Sequence, residues 1–212
     1  MNASGLEPSA AGAPLTIEGS ARLAGAWMGV ERRLYEVVGG WTVAAASPAL
    51  KIWFSEASQH HAWRAQLWEQ RLAGRLVQAY PPPAAQAPPN RGTDEVEVLA
   101  AATEAALSAM AALATDPARL GAYCRAILPR CLAGYRAWKA RCSSSCDRPV
   151  TRALTLVLTD VVGDWQQAND LLTAWLDGPD GLAGLTGAVA GAAQVDNALA
   201  GRGLVALAGP RE

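Results

Sequence analysis

Lysine is nearly absent from this chain of 212 residues: Lys51 and Lys139 are the only two, and arginine carries the rest of the positive charge. With a formal net charge of −1 and no basic stripe, nothing marks a nucleic-acid partner. No apolar run reaches the ~18 residues that a membrane span needs. The N-terminal MNASGLEPSAAGAPLTIEG has neither a basic region nor an apolar core, so it does not read as a secretory signal. The expectation is a soluble, cytoplasmic protein with reduced thiols. Walker loops, G-x-G-x-x-G after a strand, G-x-S-x-G elbows and H-E-x-x-H are all missing. The four cysteines include no C-x-x-C pair, and the Cys142–Cys146 spacing suits neither a redox pair nor zinc. Cys124, Cys131 and Cys142 fall on one helix face as small core residues. Cys146 is left as the candidate reactive thiol.

What is present is helical periodicity. Leu23, Trp27, Val30, Leu34, Val37 or Val38, and Trp41 recur at spacings of three and four, which predicts a helix over 18–46. Ser47 and Pro48 suit the start of a second helix, 47–79, with an apolar face of Leu50, Phe54, Ala57, His61, Ala65, Trp68 and Leu72. YPPPAAQAPPNRG, residues 80–92, reads as a semi-rigid spacer. Helices follow over 94–114, 117–142 (kinked at Pro129) and 148–177. Residues 1–17 read as disordered, and 178–212 as a flexible Gly/Ala-rich tail. Outside a membrane, the small-xxx-small match GAVAG in that tail carries little weight. No segment alternates with a period of two, so the fold class is all-α. Two tightly joined long helices, a long connection carrying an extra helix, and two more long helices follow the order of a four-helix bundle with a long crossover.

Tight hairpins set the polar residues in register. A first turn near residue 46 puts Glu31 level with His60 and His61, and a second near 145 puts Asp160 level with Cys131 and Asp164 level with Ile127. Glu31, a histidine, Cys131 and Asp160 then meet at mid-height, where bundle metal sites are built. The runs ERRLYEVVGGW, SEASQHHAWRAQLWEQRL, LPRCLAGYRAW and RALTLVLTDVVGDWQQANDLL resemble small ferritin-like proteins of actinobacterial type across residues 20–177. The resemblance implies a ferritin-like fold more than an activity.

The ligand pattern departs from a diiron centre, which takes a Glu from each of two helices and Glu-x-x-His from each of the others. E-x-x-H occurs nowhere, since Glu56 stands four residues before His60, and residues 117–142 contain no Asp or Glu. His60 and His61 are adjacent, ~100° apart on a helix, and do not converge on one ion. The expected site is a polar core cluster of Glu31, Glu56, His60, His61, Arg64, Asp160 and Asp164, with Arg64 neutralising a carboxylate. Tryptophans 27, 63, 68 and 165 ring this cluster, which also suits a small-molecule pocket.

Three functions stay open. The first is an accessory or structural protein with no cofactor, self-associating as a homodimer or other homo-oligomer through Trp- and Ala-rich faces. The second is a ligand-binding protein using the polar cluster. The third is a non-haem oxidase or hydroxylase holding iron or manganese on Glu31, His61 and Asp160.

Overall fold

Thr16 opens the first helix: its hydroxyl accepts the Gly19 amide at 3.0 Å, satisfying a donor that the first helical turn leaves free. In the computed structural model, which describes residues 14–72, 93–143 and 147–205, this helix is α1 (Ile17–Ala44). It is followed by α2 (Pro48–Glu69), α3 (Thr93–Ala111), α4 (Asp116–Ala122), a π-helical turn (Tyr123–Ile127), α5 (Leu128–Ala140), α6 (Arg148–Leu176) and α7 (Gly181–Leu199). Among the described residues there is no strand, and no helix is long and apolar enough to cross a membrane. Of the disorder expected over residues 1–17, residues 1–13 lie outside the described residues, as do the spacer at 80–92 and Cys146. Residues 14–17 are ordered instead, with the Leu15 amide donating to Arg141 O at 3.1 Å and Thr16 capping α1.

The α1–α2 connection is held by a residue distant in sequence. Asp116 Oδ2 accepts the amides of Ala46 at 2.8 Å and Ser47 at 3.2 Å, while its Oδ1 accepts from Arg119 at 3.0 Å. Ser47, expected as the N-cap, makes no side-chain cap bond; its amide is taken up by Asp116, and Pro48 at the first helical position begins the helix. The tight turn makes α1 and α2 antiparallel neighbours, buried through Trp27, Leu34, Val38, Phe54 and Trp68. The second hairpin pairs α4–π–α5 with α6. Trp27 stacks on Tyr135 with centroids 4.0 Å apart, and Trp68 lies 5.6 Å from the same ring and 4.8 Å from Trp138, so one aromatic column ties the two hairpins together.

Pro129 acts differently from the expected kink. The Leu128 amide donates to Tyr123 O, a pairing five residues back that defines a π-turn. In the same pattern Pro129 would pair with Cys124 O, but it has no N–H to give. The Trp165 indole on α6 donates to that carbonyl instead, at 3.1 Å. The side chain of Arg130 donates to Ala126 O at 2.9 Å and to Asp196 at 2.5 Å, tying the π-turn to α7.

The stretch expected to be a flexible tail is helical over 181–199, and Ala188, Val195 and Leu199 are buried in the common core. Its glycines matter because α7 and α4 approach backbone to backbone. A Cβ on Gly121 would lie 2.3 Å from the Ala188 carbonyl oxygen, and one on Gly191 2.2 Å from that of Ala118. The small-xxx-small spacing set aside in the sequence is therefore a helix-packing surface. Helix 2, expected to run to residue 79, closes at Glu69, and residues beyond 72 lie outside the described set.

Candidate functional site

Three helices converge on one side chain. Arg64 of α2 is fully buried. Its Nε donates to Glu31 Oε2 of α1 at 3.1 Å, and its Nη1 donates to Asp164 Oδ2 of α6 at 2.9 Å and to Asp160 Oδ2. Asp160 and Asp164 stand one helical turn apart, so both carboxylates project from the same face. Burial would lower the Arg64 pKa, but the charges of Glu31 and Asp164 outweigh it and hold the guanidinium well above its ordinary value. Burial likewise would raise Glu31, yet the Arg64 charge together with donors from His61 and Tyr135 brings it down to about 2. Asp164 is lowered in the same way: burial acts upward, and the His60 hydrogen bond and the Arg64 charge prevail.

His61 sits inside this network. Its Nδ1 lies 2.5 Å from Glu31 Oε2 and its Nε2 2.6 Å from the Tyr123 hydroxyl. A bare nitrogen that close to an ionised carboxylate would be repelled, so Nδ1 carries the proton and donates it to Glu31. Burial first, and then the Arg64 charge, push the His61 pKa below its usual value despite Glu31, and the ring is neutral at pH 7. Nε2 is then an acceptor, and Tyr123, whose own pKa burial raises well above normal, donates to it. Arg64 Nη2, 3.0 Å from Nδ1, faces a nitrogen that has no lone pair to offer. On the other side of Glu31, Tyr135 donates to Oε1 at 2.5 Å and accepts from the Trp68 indole at 3.1 Å. Glu31 thus accepts from Arg64, His61 and Tyr135 at once.

His60 points elsewhere. Its Nδ1 lies 2.7 Å from Asp164 Oδ1 and 3.9 Å from Asp160 Oδ1, and its side chain is 40% exposed. The Asp164 hydrogen bond, opposed by partial burial, raises its pKa.

Comparison with protein-family models, with curated proteins and with solved structures gives no match. The residues themselves carry the functional reading.

Six of the seven expected cluster residues meet: Glu31, His60, His61, Arg64, Asp160 and Asp164. Glu56 does not. It is exposed and lines a surface hollow of about 270 Å³ with Ile52, Trp53 and Gln167. The antiparallel α2–α6 register that sets His60 against Asp164 sets residue 56 against Ala168, which offers no cation. The expected metal set of Glu31, His61 and Asp160 is corrected as well: Glu31 and His61 bind each other, and Arg64 binds both carboxylates. Among the described residues, the donors that approach one another as metal ligands are His60, Asp160 and Asp164. Trp63 is 40% exposed, Trp165 is half-buried, and Trp27 and Trp68 are buried; the centre they were expected to enclose as a pocket is filled by the ion pairs.

Two residues of the network were missed in the sequence. Tyr123 and Tyr135 provide from the second hairpin the polar groups that the absent carboxylates do not. Together with Ile127 and Cys131 they recur every four residues, which is the signal that was available. Cys131 is buried, and burial first, then Glu31, raises its thiol well above the usual range, so it is an inert core residue.

Proposed function

We propose that this protein is a ferritin-like four-helix bundle in which an internal arginine replaces dinuclear metal chemistry, and that it acts as an accessory protein, structural or ligand-binding, rather than as a diiron oxidase. The single observation behind the reading is Arg64. Its guanidinium lies at mid-height among Glu31, Asp160 and Asp164, the level at which such bundles hold two metal ions. A fixed cation there gives the carboxylates a counter-charge and occupies the position between the three helices where the dinuclear ions would lie. The helix order, with two hairpins separated by a long connection, supports the ferritin-like part of the proposal. The non-haem oxidase alternative on Glu31, His61 and Asp160 would have to displace Arg64, His61 and Tyr135 from the Glu31 carboxylate.

Self-association belongs to the same proposal, with a changed surface. Seven of the eight tryptophans, all but Trp63, are buried or packed against other helices, so we assign the second copy to the exposed apolar row of Leu182, Leu185 and Val189 on α7. Loading the protein with iron or manganese under anaerobic conditions, followed by exposure to oxygen and elemental analysis, tests the central reading. We expect no dinuclear occupancy and no oxygen-driven diferric chromophore. Two ions per chain, lost together in Glu31→Ala, would overturn it.

A further inference from the structure

We infer that His60, Asp160 and Asp164 form a mononuclear site for a divalent transition-metal cation at the rim of the Arg64 network, separate from the dinuclear position that the preceding reading excludes. Each aspartate is divided between two tasks. The Oδ2 atoms of both bind Arg64 Nη1, which fixes the carboxylate planes. The Oδ1 atoms are left facing His60 Nδ1, and His60, Asp160 and Asp164 each offer one ligand atom within 4.8 Å of the others. Ligands sharing an ion at ~2.1 Å stand roughly 3.0–3.4 Å apart. The present separations of 2.7 Å and 3.9 Å from His60 Nδ1 bracket that value, so a small rotation of the half-exposed imidazole suffices.

Charge points the same way. Glu31, Asp160 and Asp164 surround a single guanidinium. Three carboxylates thus share one fixed cation, and Asp164 among them is nearly inaccessible to solvent. A divalent cation adds counter-charge on their open side. One imidazole with two carboxylates is a borderline set, suited to manganese, iron, cobalt or zinc. Asp160 is 24% exposed and His60 40% exposed, which leaves the remaining coordination positions open to water.

The probe is cobalt(II), followed by its visible absorption, with manganese(II) followed by electron paramagnetic resonance on the same full-length protein. The expected result is one equivalent bound, with about tenfold or greater loss of affinity in His60→Asn and in Asp160→Asn, and unchanged binding in Glu56→Gln. His60→Asn retains a donor toward Asp164 and alters a half-exposed position, so its fold is checked by circular dichroism and is expected to persist. No binding to the wild type, or binding that both variants leave unchanged, overturns the inference and leaves the Arg64 reading standing.

Discussion

His60 and His61 share a peptide bond and almost nothing else. His61 is enclosed: its Nδ1–H donates to Glu31, its other nitrogen accepts from the Tyr123 hydroxyl, and it stays neutral. His60 looks outward past Asp164 and gains affinity for a proton from that contact. The ~100° between adjacent helical residues sends one ring to α1 and the π-turn and the other to α6. The difference teaches that a His-His pair on a helix is two sites. Here one is a structural hydrogen-bond bridge, and the other is the open edge of the same charge network. Arg64, one turn beyond, faces both.

The largest effect is expected from Arg64→Met, which removes the counter-charge from both halves at once. Uncompensated buried carboxylates cost about 3–5 kcal/mol, and urea unfolding at neutral pH should register a loss of that size, smaller near the pH at which carboxylates protonate. A variant as stable as wild type would mean that the network is decorative.

Acid should separate the enclosed half next. The Glu31 pKa is depressed to about 2 in the folded protein from 4.5, so its contribution is complete above the unfolded value and is lost as pH falls through the folded one. That amounts to roughly 3 kcal/mol between about pH 5 and about pH 2. The depressed His61 has the same sign, with its share present above pH ~6.5 and lost as pH falls through its folded pKa. The raised pKa of His60 has the opposite sign: its stabilisation is present below pH ~6.5 and lost as pH rises through its folded value. Thermal melts across this range should show a steep acid limb and only a shallow neutral one.

Tyr123→Phe tests the bridge alone. It leaves His61 Nε2 buried without a donor, at a cost of about 1–3 kcal/mol, read as a lowered urea midpoint with an unchanged slope. The smallest effect belongs to His60→Asn. The pair it disturbs is more than one-third exposed on the His60 side, so the loss should stay below about 1 kcal/mol.

Much of this arrangement was legible in the chain because tight turns convert sequence distance into height. Glu31 and His61 lie equally far from Ala46, and they meet. Arg64 follows from the helical repeat, one turn beyond. The second hairpin was harder to read: the π-turn at Tyr123–Ile127 shifts helical phase ahead of Pro129, so a stripe counted at α-helical spacing passes through Cys124 and misses Tyr123. Helix α7 was misread because its glycines lower intrinsic helix preference and its run of small residues gives little amphipathic contrast. What stabilises it is close packing on α4, where Gly121 and Gly191 admit the neighbouring backbone, and the only trace this fit leaves in the sequence is the small-xxx-small spacing of GAVAG. Glu56 was placed in the cluster on spacing alone, but no buried cation stands opposite to draw it inward.

Nitrogen-15 NMR of the two imidazoles across pH ~5 to ~8 tests the central claim most directly. The account predicts that one histidine stays a neutral Nδ1–H tautomer through the range while its neighbour titrates with a midpoint above that of a free imidazole. Two histidines titrating alike, or a His61 that carries its proton on Nε2, would contradict it.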